Sequence, residues 1–283
     1  LCSFLNLTHF DLTKIAMYSM VCKGDSMRIA VCIKQVPDTE TKIKIKADAT
    51  GIDPTGVKWI ISPYDEHAIE EAIKLRDAQP GSQAIVFSVG PKARIVEALR
   101  TALAMGIDEA VAVDSAEDTD NLDVAKLLAA AVQKEGAFDL VLTGKLAIDD
   151  NSAAVGQMLA EQLKIPHTTV VSKLTLEGGI AVVEREVEGG KREIVELSLP
   201  ALLAANKGLN TPRYASLPGI MKAKKKTIKE YDLSALGLTV AAKVRYSDYK
   251  LPPEKPAVKI LSGDLAAQAK ELAGLLRNEA KVI

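Results

Sequence analysis

The chain has 283 residues, 48% of them hydrophobic and 26% charged, which allows a sizeable core in one large or two smaller domains. Lys and Arg number 36 against 37 Asp and Glu, a net charge of −1, so no global field recruits nucleic acid or an anionic membrane, and any electrostatic recognition is local. Three cysteines argue against a disulfide framework, His9, His67 and His167 lack metal-ligand spacing, and no apolar run reaches the roughly 18 residues that span a bilayer.

Residues 1–26 lack a basic start, an arginine and a small-residue cleavage motif, and Asp11 and Asp25 interrupt their apolar pieces. They read as an extension ahead of a natural start at Met27, not as a secretory signal or transit peptide, and point to a cytoplasmic setting. From Met27 the pattern is regular. RIAVCIKQV (28–36) reads as a buried strand ended by Pro37, KIKI (42–45) as a half-exposed strand, and VKWII (57–61) as a short one. Ser62 is a good N-cap and Pro63 suits a first helical position, so a helix follows, with Ala68, Ile69, Ala72 and Ile73 as its apolar stripe and Pro80-Gly81 as its stop. Next come a strand (83–90), a helix (91–106), a strand (109–114), a helix (121–136), a strand (139–144) and a helix (151–164). This alternation predicts an α/β fold: a doubly wound, mainly parallel sheet covered on both faces.

After Pro166 the texture becomes β-rich. Gly178-Gly179 and Gly189-Gly190 separate alternating runs over 168–199 and predict antiparallel hairpins. An apolar run, LPALLAA (199–205), and a basic segment near Lys222 follow. Residues 246–260, with Pro252, Pro253 and Pro256, read as an extended arm leading to a final helix over 264–280. The expected division is therefore the extension, an α/β nucleotide-binding domain over 27–230, and a C-terminal arm with its helix over 231–283.

Ligands of open parallel sheets sit at the carboxyl ends of the strands. Three such ends carry polar chemistry: Lys34 to Asp38, Ser88 to Pro91, and the loop Thr143 to Gly156. The third is the best site. Gly144 permits close backbone approach, Ser152, Ala153 and Ala154 are small, Lys145 adds charge, and the amides of Asn151 to Ala154, opening a helix, suit a phosphate. The loop is neither a P-loop nor GxGxxG. Asp149 and Asp150 would repel a phosphate unless they face solvent or bind ribose hydroxyls, and adjacent loop carboxylates are not expected to point together. A plain capped strand–helix connection is the competing reading. Ser62 and Ser88 lack a nearby histidine, so nucleophilic hydrolysis has no support. In TPRYASLPGIM (211–221), Pro212 and Pro218 bracket Leu217, Ile220 and Met221 beside Lys222, Lys224, Lys225, Lys226 and Lys229. Apolar anchors beside a basic patch describe a partner-docking loop, and a loop folded onto its own core is the alternative.

From Met27 onward the chain resembles electron transfer flavoprotein beta subunits. KQVPD (34–38), SPYDE…AIEEA (62–72), RTALAMG (100–106), DLVLTGKLAIDD (139–150), EREVEGG (184–190) and RYASLPGIMKAKKK (213–226) carry the likeness. The resemblance implies a Rossmann-like sheet akin to adenine nucleotide alpha hydrolases. It also implies a heterodimer with an alpha subunit that holds most of one FAD, a buried structural AMP, and no catalytic residues in this chain. The family's AMP contacts fall on Cys32, on Ser62, Pro63, Tyr64 and Asp65, on Val89, and on Gly144, Lys145, Leu146, Ala147, Ile148, Asp149, Asp150, Asn151, Ser152, Ala153, Ala154 and Val155. Tyr64 matches an aromatic near the flavin ring, whereas Thr39 stands where some relatives have an aromatic. The family's docking loop for acyl-CoA and related flavin dehydrogenases falls on Arg213, Tyr214, Ala215, Ser216, Leu217, Pro218, Ile220, Met221, Lys222 and Lys225, with Leu217 as the anchor. Electrons would pass onward to ETF-ubiquinone oxidoreductase, and the arm would wrap the alpha subunit. Bifurcating relatives, which hold a second FAD, show DGDTA where this chain has DDNSA (149–153), which favours AMP. An adenine-nucleotide sensor on a similar sheet is a further alternative, though it leaves the docking loop and the proline arm unexplained.

Overall fold

A computed structural model describes residues 26–255 and 257–283; the expected extension up to residue 25, with Cys2, Cys22 and His9, and Pro256 of the arm lie outside the described residues. Those described fall into two compact units, one containing Pro54–Tyr246 and the chain up to Lys42, the other Ile43–Asp53 with Ser247–Ile283.

The first unit is built on a nine-stranded sheet. β1 (Arg28–Cys32) is followed by a two-stranded ribbon of β2 (Gln35–Pro37) and β3 (Trp59–Ile61) and then by helix α1 (Pro63–Ala78). β4 (Gln83–Gly90), α2 (Lys92–Met105), β5 (Glu109–Asp114), α3 (Asn121–Glu135), β6 (Leu140–Gly144) and α4 (Val155–Leu163) continue the alternation. The strands β7 (His167–Glu177), β8 (Ile180–Val187) and β9 (Lys191–Ser198) form antiparallel hairpins turned at the two glycine pairs. β10 (Ala201–Ala205), α5 (Leu217–Lys225) and β11 (Lys229–Tyr231) close the unit. The sheet order is β11-β5-β4-β1-β6-β10-β7-β8-β9, parallel from β11 through β7.

Alternation along β1 divides the core. Ile29 and Val31 face α1 and α2, through Ile69, Ile73, Leu99 and Leu103. Ala30 and Cys32 face α3 and α4, through Leu127, Leu128 and Leu159. Both faces are therefore covered, as a doubly wound sheet requires. From β1 the chain steps outward to β4 and β5, then returns across β1 to β6. The order thus reverses between β1 and β6, the switch point where such sheets open a ligand crevice.

Four expectations need correction. Residues 28–36 are not one strand: β1 ends at Cys32, and Gln35–Pro37 pair with β3 in the separate ribbon. Residues 42–45 form no strand; only an isolated bridge joins Ile45 to Ile52, because the segment meets a short turn and not a partner strand. Ser62 precedes α1 but makes no capping hydrogen bond; it is fully buried, and its hydroxyl donates to the Leu146 carbonyl at 3.5 Å. The stretch taken as a docking loop is half helix: Ser216 caps α5 by accepting from Gly219 N at 3.1 Å, and Pro218 fits the first turn, where its missing N–H leaves no gap. The apolar run 201–205 is a buried strand inserted between β6 and β7.

In the second unit, Ile43–Asp53 folds back through the Ile45–Ile52 bridge, and Tyr249 N donates to Ala49 O. No regular element occupies the described part of 246–263. Helix α6 (Leu265–Asn278) is capped by Asp264, which accepts from Ala267 N, and buries none of its residues among the described residues.

Candidate functional site

The crevice at the switch point is framed by the ends of β1 and β6 and the first turn of α1. Asp65 ties them together: its Oδ2 accepts from Lys34 N at 2.7 Å and its Oδ1 from Gly144 N at 2.8 Å. Proline at the helix start and acidic residues in its first turn make α1 begin here. A Cβ on Gly144 would lie 2.4 Å from Asp65 Oδ1 and 2.8 Å from Tyr64, so only glycine lets the helix close on the strand. The close approach expected at Gly144 is thus made by α1. Burial pushes the Asp65 carboxyl up to about 7, against the pull of its two amide donors and of Lys34. Cys32, buried at the end of β1, is held as a thiol: burial first, and then the Asp65 charge, raise its pKa. Its reactivity is suppressed accordingly.

Beyond Gly144 the loop 145–154 runs to α4. Lys145 N donates to Ala205 O, and its ammonium lies 4.8 Å from the centre of the half-buried Tyr64 ring. Asp149 and Asp150, not expected to point together, both do so: Lys34 Nζ lies 2.8 Å from Asp149 and 3.2 Å from Asp150. Burial opposes the charge on Lys34, but the two carboxylates outweigh it and raise its pKa. Asp150 is held below the ordinary carboxylate value; burial works upward, and the Ser152 amide and Lys34 prevail.

The helix expected from Asn151 begins only at Val155. Asn151 (φ 52°) and Ala153 (φ 49°) are left-handed, and Asp150 accepts from Ser152 N at 3.0 Å, so an Asx turn replaces the first helical turn. The phosphate-type donors therefore shift downstream. The residue before α4 is Ala154, which offers no side-chain cap to the amides of the first turn. Beneath them Thr143 Oγ1 is buried without a hydrogen-bond partner among the described residues. A Cβ on Gly156 would come within 3.1 Å of that oxygen, which keeps α4 close to the strand end. Val89 is half-buried near the end of β4, the strand beside β1.

The structure thus brings Cys32, Ser62–Asp65, Val89 and 144–155 to the ends of three adjacent strands, β4, β1 and β6, with α1 and α4 on either side. Lys34 and Thr143 belong with them. Lys34 stood at a strand end in the sequence, but nothing local paired it with residues more than 100 positions away.

The second group, Arg213–Lys225, is carried on α5 and the turn before it, packed against α2. Tyr214 is 96% exposed, Leu217 75% and Met221 55%, while Ala215 packs on the core. Lys222, Lys224 and Lys225 are exposed. Lys226 is not one of that group: its ammonium donates to Ile107 O and Asp108 O, both at 2.8 Å. Among the described residues no group of three or more His, Cys, Asp or Glu could hold a metal ion, and no helix is long and apolar enough to cross a membrane.

Residues 50–236 match the electron transfer flavoprotein domain. The chain is 45% identical to electron transfer flavoprotein subunit beta of Bacillus subtilis over 262 residues, which is 91% of this chain and all of that protein. It is 43% identical to the subunit of the same name from Homo sapiens, over 87% of this chain and 98% of the human one. The mitochondrial subunit beta of Oryza sativa subsp. indica is 41% identical over 91% of this chain and its own full length. Identity of this depth, spanning both the switch-point crevice and the α5 segment, means that the chain belongs to the electron transfer flavoprotein beta-subunit family.

Proposed function

We propose that this chain is one half of a heterodimer with an electron transfer flavoprotein alpha subunit, that it holds AMP at the β1–β6 crevice, and that it docks flavin dehydrogenases through α5. The observation that carries the AMP reading is the start of α4. Its first-turn amides receive no side-chain cap from Ala154, at a topological switch point, above a Thr143 hydroxyl without a hydrogen-bond partner among the described residues. Backbone donors at a helix N-terminus are suited to a phosphate. The neighbouring carboxylates do not defeat this, because Lys34 pairs with both and offsets one of the two charges.

When bound by the alpha subunit, FAD supplies one-electron chemistry; this chain's part is to enclose and to orient. Tyr64, fixed by the first turn of α1 and covered by the Lys145 ammonium, is the side chain that would contribute to the flavin wall. AMP has no redox chemistry, so its role is to brace loop 145–154 between β6 and α4. Electrons would enter from acyl-CoA and related dehydrogenases and leave to a ubiquinone oxidoreductase. Transfer of this kind depends on proximity and needs no acid–base group in the chain.

Co-expression with the alpha subunit, followed by extraction of bound nucleotides, tests the reading. One FAD and one AMP per heterodimer is the expected result. Two FAD would make this the beta subunit of a bifurcating flavoprotein, and a flavin-free homodimer would favour a nucleotide sensor.

A further inference from the structure

We propose that Glu70, a buried carboxylate on α1, is a positioning residue for partner docking. Through Arg213 it sets the base of the segment that presents Tyr214, Leu217 and Met221. The proposal rests on the docking reading above and assigns a role outside the docking stretch.

Glu70 is 6% exposed, and among the described residues its carboxylate takes hydrogen bonds from Arg213 alone. Its Oε2 accepts from Arg213 Nε at 2.8 Å and from Arg213 N at 3.1 Å, while Oε1 accepts from Nη2 at 2.9 Å. The two-pronged fork fixes the guanidinium in plane, and the amide fixes the backbone at the same residue. Three residues earlier, Asn210 Nδ2 donates to His67 O at 2.9 Å and to Glu71 Oε2 at 2.8 Å. The chain is therefore stapled to α1 at Asn210 and again at Arg213.

Downstream it is held a third time. A Cβ on Gly219 would lie 2.3 Å from the Ala104 carbonyl oxygen, so α5 rests backbone to backbone on the end of α2. Arg100 Nη1 donates to the Ala223 and Lys226 carbonyls, closing the far end of α5. Between these fastenings Tyr214, Leu217 and Met221 stay exposed, flanked by Lys222, Lys224 and Lys225.

Exposed apolar side chains on a segment clamped at both ends form a surface ordered before it meets a partner. A pre-ordered anchor loses less freedom on binding, and binding tightens without any new contact. The flanking charge selects the occupant: a protein surface with an apolar depression and a rim of carboxylates. A buried carboxylate fork suits this role because it tolerates one geometry, whereas a solvated ion pair tolerates many.

The test uses the intact heterodimer and its reduction by an acyl-CoA dehydrogenase with its acyl-CoA substrate, at varied flavoprotein concentration. Leu217→Ala is the reference. Glu70→Gln and Arg213→Lys should each raise the KM for the flavoprotein by about five-fold, within the range of a disturbed hot spot, and leave kcat within about two-fold. FAD and AMP content and the rate of reduction by dithionite should stay unchanged, while amide exchange over 213–221 quickens. If Leu217→Ala leaves KM unchanged, the docking reading itself fails. If it raises KM and neither other variant does, Glu70 is only structural and the proposal is overturned. Should Glu70→Gln not fold, Arg213→Lys decides alone, since its side chain is 41% exposed and its charge is kept.

Discussion

Asp65 and Gly144 meet 79 residues apart in the chain: the carboxylate accepts the glycine amide at 2.8 Å, and any Cβ on the glycine would fall 2.4 Å from the same oxygen. This contact closes the first turn of α1 onto the end of β6. Gly144→Ala should therefore push α1 off the strand. A loss of about 1–3 kcal/mol, typical of overpacking, is expected, and on the proposed reading less AMP is retained. Denaturant unfolding and nucleotide extraction check both; an unchanged midpoint would mean that the turn yields freely.

The same carboxylate sets a pH dependence. Its folded pKa of about 7 lies above the ordinary value, with burial as the main cause, Asp149 adding to it, and the Lys34 and Gly144 amides and the Lys34 ammonium opposing. The neighbouring Cys32 stays a thiol through this range. Between about pH 4 and 7 the folded state then binds more protons than the unfolded one, so this group makes stability fall as pH rises through that window and contributes no slope above it. Asp65→Asn removes the slope and leaves one backbone N–H poorly paired, a loss of about 1–3 kcal/mol. The variant's deficit should be greatest near pH 5 and smallest near pH 8, by urea melts. A deficit that grows with pH would contradict the raised pKa.

Lys34 reaches two carboxylates of the loop, and all three side chains are partly exposed, so solvent screens the pairs. Lys34→Ala should change global stability by less than about 1 kcal/mol. Its effect should appear locally: faster amide exchange over 146–153 and loss of AMP on dialysis. Full AMP retention would show that the loop is held without the lysine.

The lysines in and just after α5 divide into two kinds. Lys226 donates to two carbonyls in the connection from α2 to β5, and Lys226→Ala should destabilise by about 1.5–3 kcal/mol, as for hydrogen bonds from a charged donor. Lys225 is exposed, and Lys225→Ala should leave stability within about 0.5 kcal/mol while lowering the association rate with a dehydrogenase at low salt. Melting curves and stopped-flow mixing at two ionic strengths separate the two. Equal effects in both assays would dissolve the distinction.

Much of the architecture was legible locally. β4 and β5 span the residues expected of them, and α2 and α3 fall within a residue at each end, since each has a clear apolar period and β4, α2 and α3 also end at a glycine. The double-glycine turns marked the β7–β8–β9 hairpins for the same reason. Three features were not legible. β11 pairs with β5 across more than 110 residues, and no local period announces a three-residue strand. The Asn151–Ala154 segment has helical company, but Asn151 and Ala153 turn left-handed, and the preceding Asp149 is drawn to a lysine 115 residues away. Glu70, one of several acidic residues on an amphipathic helix, looks like a solvated position until Arg213 is brought against it.

By itself the sequence determined the alternating elements, the doubly wound class and the family. These follow from short-range periodicity, turn chemistry and the motifs that carry the resemblance. Only the tertiary structure decided which strand ends share a crevice, that Gly144 serves the approach of α1, where the α4 donors begin, and which charges hold the α5 segment in place. Those outcomes depend on contacts between residues far apart in the chain, and burial gives each contact a strength that no local pattern records.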